Sequence, residues 1–376
     1  MITSLSLHHY KNYTDESVSL APGLNFLVGR NGMGKTNLLD AIHYLCMAKS
    51  HSTPLDRDTV QFDHPFFRLE AQARLDDHDH SICMKVRPRE VKDILIDGKM
   101  IDRLSAYIGF LPVIMLSPED IVLIQGGSAA RRQFMDVALC QADRDYLENL
   151  QRYNKFLAQR NALLRTSGYR ADHTLLLTYS ISMADAAKLI YQRRDVLVRE
   201  LLPDVISYYD LLCGSREVPA LQYHSHLEDH DLDTLAAASL EADLQNGRTT
   251  KGVHRDDLEI LLDHRPVKRF GSQGQIKSLL VALHLAQSEY LKRKTGTHPI
   301  LLLDDIFDRL DEQRAQNLIA LLTTFTTSQI FISDASPARV QRLITQSGND
   351  AHVLEIRDGA ILSSQQKDDR RRKSNL

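Results

Sequence analysis

The chain has 376 residues, 43% of them hydrophobic and 25% charged, which is the composition of a globular protein large enough for two lobes. Its formal net charge of −3 excludes a uniformly basic nucleic-acid binder, so any contact with DNA must come from a local patch. The sequence contains no run of about eighteen apolar residues and no C-x-x-C pair, and therefore indicates neither a membrane span nor a zinc site.

Residues 1–126 are predicted to form the strand-rich first part of an α/β domain. Short alternating or apolar runs occupy residues 2–7, 18–20, 24–28, 67–75, 81–86, 94–96 and 112–116. Asp97-Gly98 indicates a hairpin turn after the run at 94–96. Because the first predicted strand begins almost at Met1, we expect no signal peptide and a cytoplasmic protein.

A phosphate-binding loop is predicted at residues 29–36, which read Gly-Arg-Asn-Gly-Met-Gly-Lys-Thr and fit G-x-x-x-x-G-K-[ST] between an apolar strand and a helix. In such a loop the backbone N–H groups cradle the phosphates, Lys35 reaches the β and γ phosphates, and the Thr36 hydroxyl binds magnesium. An accidental glycine-rich turn is the alternative, but four constrained positions in this context make it rare. The predicted nucleotide ligands are Gly29, Arg30, Asn31, Gly32, Met33, Gly34, Lys35, Thr36 and Asn37.

A helical insertion is predicted at residues 127–248. Apolar side chains recur at helical spacing in residues 147–164 and again in residues 183–202, until Pro203 is expected to interrupt the second stripe. Two segments of roughly thirty residues each would form an antiparallel arm on the order of 45 Å long.

A second loop, at residues 270–275, reads Phe-Gly-Ser-Gln-Gly-Gln and precedes an apolar helix. Ser272, Gln273, Gly274 and Gln275 resemble the signature motif of ABC-type ATPases, which contacts the γ-phosphate bound by the opposite subunit. An ordinary helix cap is the alternative, because Ser is a favoured N-cap residue. The order and spacing relative to the other nucleotide motifs favour the signature.

An acidic strand end follows at residues 299–305, where five apolar or proline positions lead into Asp304-Asp305. Asp304 is predicted to bind magnesium, and Asp305 is predicted to be the catalytic base that polarises the attacking water, together with Lys35 as the second catalytic residue. Asp311 is the predicted D-loop residue. A helix and a further strand at 329–332 follow, as a doubly wound ATPase core requires.

The predicted organisation is therefore a split ATPase lobe. Residues 1–126 and 249–365 form its two parts, residues 127–248 form the helical insertion, and residues 366–376 form a basic tail. Ser333-Asp334 stands at the switch-histidine position, so no histidine is expected to sense the γ-phosphate there.

Several longer motifs carry a resemblance to the RecF family. They are Leu5-Ser6-Leu7 with Asn12-Tyr13, Lys49 to Ser52, residues 123–127 with Arg131 to Asp136, Tyr153 with residues 159–164, and the Gly-Val-His-Arg-Asp-Asp run at residues 252–257. The resemblance runs from the first strand to about residue 360.

This resemblance implies an α/β fold with an ABC-type P-loop ATPase core split by a helical lobe, similar to an SMC head with a short arm. It implies ATP and Mg²⁺ as cofactors and an ATP-dependent head-to-tail homodimer. It further implies binding of duplex DNA near single-strand gaps, help to RecO- and RecR-type mediators in loading the RecA recombinase, and weak, DNA-stimulated ATP hydrolysis in DNA repair.

Some features leave alternatives open. ABC enzymes usually place Glu where Asp305 stands, so we expect slow turnover, with ATP acting mainly as a dimerisation ligand. The loop at residues 254–257 is either a functional loop or a salt-bridged turn. Several basic residues form either a groove that binds DNA phosphates or a solvated face. They are Lys11, Arg57, Arg68, Lys85, Arg87 and Arg89, and the pairs Arg131-Arg132 and Arg193-Arg194. An SMC-like structural DNA tether and a regulatory ABC-type ATPase subunit are the alternative functions.

Overall fold

The computed structural model describes residues 1–214, 217–308, 312–324, 328–347 and 350–363. The predicted D-loop residue Asp311 and the basic tail at 366–376 lie outside the described residues. The chain divides into two compact units, one formed by residues 1–118 together with the chain from residue 291 onward, and the other by residues 119–290. The insertion predicted at residues 127–248 lies inside the second unit, which extends further at both ends.

The elements follow one another in three blocks. The first unit begins with β1 (Ile2–Tyr10), β2 (Tyr13–Ser19), β3 (Leu24–Val28), α1 (Lys35–Met47), β4 (Phe67–Leu75), β5 (His78–Val86), β6 (Asp93–Ile96), β7 (Lys99–Met100) and β8 (Val113–Leu116). The next block is α2 (Ile121–Gln125), α3 (Ser128–Ala142), α4 (Arg144–Ser167), α5 (His173–Cys213), β9 (Pro219–His224), α6 (Leu232–Ala238), α7 (Leu240–Asn246), β10 (Asp257–Leu262), β11 (Arg265–Pro266), α8 (Val267–Phe270) and α9 (Gln273–Thr295). The first unit resumes with β12 (Ile300–Leu303), α10 (Glu312–Thr324), β13 (Ile330–Asp334), α11 (Pro337–Ser347), β14 (Ala351–Arg357) and β15 (Ala360–Ser363).

An antiparallel sheet of the first unit has the strand order β2-β1-β4-β5-β6-β7. Its strands alternate between buried and exposed side chains, as in β4, where Phe67 and Leu69 are buried and Arg68 is exposed. This alternation is expected for a sheet with one face on the core and one face in water. Asp97 and Gly98, with φ values of 51° and 75°, form the predicted turn between β6 and β7.

A second sheet of the first unit has the order β15-β14-β3-β13-β12-β8, and all neighbours except β14 and β15 are parallel. Every residue of β3, β8, β12 and β13 is buried, as in parallel sheets covered on both faces. The carboxyl ends of β3, β12 and β13 meet at one edge of this sheet. The predicted α/β class and the strand–loop–helix–strand order are thus confirmed.

The strands β14 and β15 were not predicted from the sequence. β14 lies beside β3 in parallel register, and Asp358 and Gly359, with φ values of 46° and 77°, form the turn to β15. The signal was an Asp-Gly pair between short apolar runs, which is typical of a two-residue hairpin.

Helix α1 is the centre of the first unit's core. Eleven of its thirteen residues are buried, because both sheets contribute side chains to the cluster around it. Tyr44 of α1 makes edge contacts with Tyr10 of β1 and Phe67 of β4. A helix that is buried nearly all round fixes the position of the loop that precedes it.

The second unit contains a long helical hairpin formed by α4 and α5, and an antiparallel sheet of order β11-β10-β9. The predicted interruption at Pro203 is wrong, because α5 continues through it for 41 residues, or about 60 Å at 1.5 Å per residue. α4 has 24 residues, or about 36 Å, so the two helices are unequal where two segments of roughly thirty residues were predicted. Leu201, Val205 and Tyr209 keep one buried face on both sides of Pro203, and this packing compensates for the backbone hydrogen bond that proline removes.

Each helix in the described part of the chain is either too short or too polar to span a lipid bilayer.

Candidate nucleotide-binding site

The predicted phosphate-binding loop connects the end of β3 to the start of α1. Gly34 has a φ of 114°, and a Cβ there would lie 2.5 Å from Nδ2 of Asn12. A Cβ at Gly29 would lie 2.3 Å from the carbonyl oxygen of Ile356 on β14. Any larger residue at either position must therefore displace a neighbour, and at Gly34 it would also strain the backbone.

The turn between β1 and β2 holds the loop in place. Asn12 donates from Nδ2 to the Met33 carbonyl oxygen at 3.3 Å and accepts at Oδ1 from Asn37 at 2.7 Å. The Tyr13 hydroxyl donates to the Gly34 carbonyl oxygen at 2.9 Å. Asn12 and Tyr13 carried part of the family resemblance, but no local pattern placed them at the loop.

Lys35 directs its ammonium group into the same loop. Its side chain is only 5% exposed, and Nζ donates to the carbonyl oxygens of Gly29 at 2.8 Å and Arg30 at 3.1 Å. An ammonium group has three N–H donors, so these two bonds leave one for a phosphate oxygen. The geometry fits the predicted role of Lys35.

The loop and the acidic strand end meet at Thr36 and Asp304. Thr36 Oγ1 donates to Asp304 Oδ2 at 2.8 Å, although the two residues are 268 positions apart in the chain. A hydroxyl and a carboxylate are the hard oxygen donors that Mg²⁺ prefers, and Mg²⁺ commonly takes one or two such ligands together with substrate phosphates. Thr36 and Asp304 therefore fit Mg²⁺ as predicted.

Asp305 follows in a strained conformation. Its φ is 44°, which is the left-handed region that non-glycine residues rarely adopt. Burial and the neighbouring Asp304 charge raise the pKa of Asp305 above the ordinary aspartate value. A strained carboxylate with a raised pKa beside the proposed phosphate and metal ligands matches the expectations for a residue that interacts with water or a phosphate.

Ser333, at the end of β13, holds both aspartates. Its hydroxyl donates to Asp304 Oδ1 and accepts from the Asp305 backbone N–H at 2.9 Å. The next residue, Asp334, binds the Arg339 guanidinium through both oxygens, at 2.7 and 2.9 Å. The sequence identified Ser333 only as a position without the switch histidine, and it missed this positioning role.

A buried polar cluster around Asp40 decides between the open alternatives for Lys11. Asp40 is fully buried and accepts from Tyr10 Oη at 2.6 Å and from Lys11 Nζ at 2.6 Å. Burial opposes the charge of Asp40, but Lys11 and the hydrogen bonds from Tyr10 and Ser50 outweigh it and lower its pKa. Lys11 is 11% exposed and paired with Asp40, so it belongs neither to a phosphate groove nor to a solvated face.

The other basic candidates of the first unit are mostly engaged locally. Arg57 pairs with Asp58 at 3.2 Å, Arg68 with Glu70 at 3.4 Å, and Arg87 with Asp93 at 3.0 Å. Lys85 lies 4.3 Å from the centre of the Phe66 ring. These contacts favour a solvated face over a phosphate groove.

The predicted signature segment lies in the second unit, at the start of α9. Ser272 Oγ accepts from the Gln275 backbone N–H at 3.3 Å, and Gln275 Oε1 accepts from the Ser272 backbone N–H at 2.6 Å. These two reciprocal bonds form a capping box. Ser272 is exposed, and its hydroxyl proton is not used by the capping bonds.

The motifs at 131–136 and 252–257 meet in a buried ion-pair network of the second unit, which we call the arginine network. Arg194 is 2% exposed and donates to Asp136 at 2.9 Å and Asp256 at 2.9 Å. Arg131 binds both oxygens of Asp257, at 2.6 and 3.0 Å. Although burial opposes it, the charges of Asp136 and Asp256 raise the pKa of Arg194, so it stays charged.

Two further polar contacts involve residues of the family motifs in the second unit. Tyr153 Oη lies 2.7 Å from His254 Nδ1, and Arg160 Nη1 donates to the fully buried Asp243 at 2.7 Å. The loop at 254–257 therefore has the contacts of the salt-bridged turn. Arg131 and Arg194 form ion pairs with aspartates of this loop. Arg193 is half-exposed and pairs with Asp143 at 2.8 Å.

A parallel sheet that brings a phosphate-binding loop against an acidic strand end, together with an antiparallel sheet and a helical unit, defines an ABC-type P-loop ATPase of the SMC-head kind. The family model described as the RecF/RecN/SMC N terminal domain matches residues 1–348. The chain belongs to the RecF family.

Curated relatives support this assignment over nearly the full length. The DNA replication and repair protein RecF of Bacteroides thetaiotaomicron is 39% identical over 362 residues, which cover 96% of this chain and 98% of that protein. The protein of the same name from Flavobacterium johnsoniae is 38% identical over 357 residues, covering 94% and 99%.

Solved structures agree with the fold. A structure of the recombination mediator protein RecF-ATPrS in the RecFOR pathway matches with a TM-score of 0.86 and 25% identity, covering 97% of this chain and 98% of that one. The Smc head domain with an extended coiled coil from Pyrococcus furiosus matches with a TM-score of 0.58 and 14% identity, covering 99% and 98%, and shows the shared fold alone.

Proposed function

We propose that this protein is an ATP-dependent DNA-binding protein of recombinational repair and replication. The contact between Thr36 and Asp304 at 2.8 Å carries the proposal, because it joins the two nucleotide motifs in a chain 39% identical to a DNA replication and repair protein. ATP is held by residues 29–37, and Mg²⁺ by Thr36 and Asp304. The protein acts in the cytoplasm.

Hydrolysis is slow in this proposal. Lys35 neutralises charge on the β and γ phosphates, and Asp305 polarises the attacking water. Asp305 has a side chain one methylene shorter than the glutamate usual in ABC enzymes, so it reaches the water less well. ATP therefore acts mainly as a ligand that stabilises a dimer, with weak hydrolysis that DNA stimulates.

The dimer is head to tail, with Ser272 to Gln275 of one subunit contacting the γ-phosphate held by the other. Support comes from Ser272, which is exposed at the N-terminus of the 23-residue helix α9 with its hydroxyl proton available. Helix N-termini favour anions because their backbone N–H groups and dipole point outward.

The dimer engages duplex DNA near single-strand gaps and helps RecO- and RecR-type mediators to load RecA. Support for this step comes from the relatives, one of which is described as a recombination mediator in the RecFOR pathway. Arg57, Arg68 and Arg87 of the first unit are engaged in local ion pairs and are not proposed as the DNA surface.

The test is the oligomeric state by light scattering with ATP and Mg²⁺, for the wild type and for Lys35→Met, Ser272→Arg and Asp305→Asn, followed by addition of gapped DNA. The wild type and Asp305→Asn are expected to dimerise and bind the DNA, and the other two to stay monomeric. Monomers in every case would overturn the proposed ATP-dependent dimer and favour a regulatory ATPase subunit.

A further inference from the structure

We propose that Glu217 positions the signature segment by binding Gln275, and so ties that segment to the end of α5. The inference rests on the proposed function, in which the segment contacts ATP across a dimer. Gln275 Nε2 donates to Glu217 Oε1, and Tyr209 Oη of α5 donates to Glu217 Oε2 at 2.8 Å.

The connection uses both ends of the Gln275 amide. Its oxygen accepts from the Ser272 backbone N–H at 2.6 Å, while its NH₂ group binds Glu217. A change at Glu217 therefore reaches Ser272 through one side chain. The Ser272 hydroxyl, which is the group proposed to meet the γ-phosphate, sits on the same residue.

Tyr209 makes the other end of the connection rigid. Its side chain is fully buried on the continuous helix that runs through Pro203. Burial and the hydrogen bond to Glu217 raise the pKa of the Tyr209 phenol, so it stays protonated and donates. Each oxygen of the Glu217 carboxylate thus accepts from one donor on a different element.

The residue type at position 275 supports a role beyond helix capping. Glu and Gln serve equally at the third position of a capping box. Only Gln offers an N–H donor to Glu217, because a second carboxylate at this distance would repel the first. Gln275 therefore completes the capping box and donates a hydrogen bond to Glu217 at the same time.

This choice gives a test that keeps the cap intact. Gln275→Glu retains the capping box but opposes Glu217 with a like charge. We expect it to weaken ATP-dependent dimerisation by about tenfold, the scale of losing a hydrogen bond to a charged group. The double variant Gln275→Glu with Glu217→Gln restores one donor and one acceptor, and should return the dimerisation constant to within about threefold of wild type.

The readouts are the dimerisation constant by light scattering and amide hydrogen exchange over residues 272–276. The single variant should exchange faster there and the double variant at the wild-type rate. Gln245→Glu, the same change at an exposed position of α7, is the matched control and should alter neither readout.

The two proposals fail in different ways. A wild-type monomer in ATP would overturn the proposed function, while the exchange rates would still report whether Glu217 holds the segment. A dimerising wild type whose Gln275→Glu variant dimerises and exchanges identically would overturn the role of Glu217. Faster exchange over residues 272–276 that the double variant does not restore would also overturn it.

Discussion

The nucleotide site of the first unit and the arginine network of the second unit both bury charged groups, but their partners differ. Arg194 faces two carboxylates from different elements, so its charge is neutralised within the protein. Lys35 donates to two backbone carbonyl oxygens. Asp305 has a strained backbone, and burial and the Asp304 charge raise its pKa despite the opposing charge of Lys35. A buried charge neutralised by carboxylates is expected to stabilise the fold, whereas the Lys35 ammonium, hydrogen-bonded to neutral carbonyl oxygens, keeps one donor for the proposed phosphate.

The comparison also explains which motifs identify the family. The Arg-Arg-Gln-Phe-Met-Asp and Val-His-Arg-Asp-Asp runs are its longer sequence signals. The structure places four of their charged residues in the arginine network, namely Arg131, Asp136, Asp256 and Asp257. These motifs specify how the second unit packs. The nucleotide chemistry is proposed to reside in shorter motifs shared with many other ATPases.

The largest effect should come from removing the centre of the arginine network. Arg194→Met leaves the buried Asp256 and the partly buried Asp136 without their cationic partner, and should lower the free energy of unfolding by about 3–5 kcal/mol. Arg193→Met, next in the chain but half-exposed, should cost about 0–1 kcal/mol. Urea unfolding of both variants measures the difference, and equal losses would contradict the structural role.

The opposite pattern is expected at Lys35. Lys35→Met should weaken ATP binding by about 10–100-fold, the range of hydrogen bonds to charged groups, while changing the free energy of unfolding by less than about 1 kcal/mol. Titration with a fluorescent ATP analogue measures the first quantity and urea unfolding the second. Lys49→Met, at an exposed position, is the control. A large loss of stability with unchanged ATP affinity would instead indicate that Lys35 has a structural role.

A smaller effect is expected from acid at His254, beside the arginine network. Burial lowers the pKa of His254 to about 4, below its ordinary value of 6.5, so the unfolded chain binds the proton more readily. Stability is therefore lost as the pH falls from about 6.5 toward 4. Between pH 7 and pH 5 the wild type should lose about 1–2 kcal/mol more than His254→Gln.

Urea unfolding at the two pH values checks this expectation. The exposed His173→Gln should lose as much stability as the wild type. If His254→Gln also followed the wild type, the acid sensitivity would have another origin.

The smallest effect is expected from charge reversal at Arg87 and Arg89 of the first unit. The double charge reversal Arg87→Glu with Arg89→Glu should leave DNA affinity unchanged, because Arg87 is already paired with Asp93 and Glu90. Each phosphate contact contributes about 0.9 to the slope of log affinity against log salt. Binding titrations at several salt concentrations would refute the expectation if the slope fell by about two.

Individual elements show how much of the structure could be predicted from the sequence. The bounds of β3 and β4 were predicted residue for residue, because their hydrophobic patterns and flanking turns are local signals. The contact between Thr36 and Asp304 followed from the order of the motifs. Local signals and motif order were sufficient in these cases.

The misses depend on contacts between distant positions. Pro203 was expected to end a helix because its local cost was visible, whereas the buried face that outweighs this cost was not. Ser333 and Asn12 act on the site through hydrogen bonds to residues 29 and 21 positions away, which no local pattern encodes. Lys11 looked solvent-facing because its partner Asp40 lies on another element.

The neighbours of β3 in the parallel sheet have a consequence for how the protein is made. β3 pairs with β13 and β14, and both strands follow it by more than three hundred positions in the chain. At about 5–20 residues per second, a ribosome needs roughly 15–60 s to supply them. During that time the apolar strand before the phosphate-binding loop has no native partner in its sheet, so we expect nascent chains shorter than about 350 residues to need a chaperone and to be unable to retain ATP.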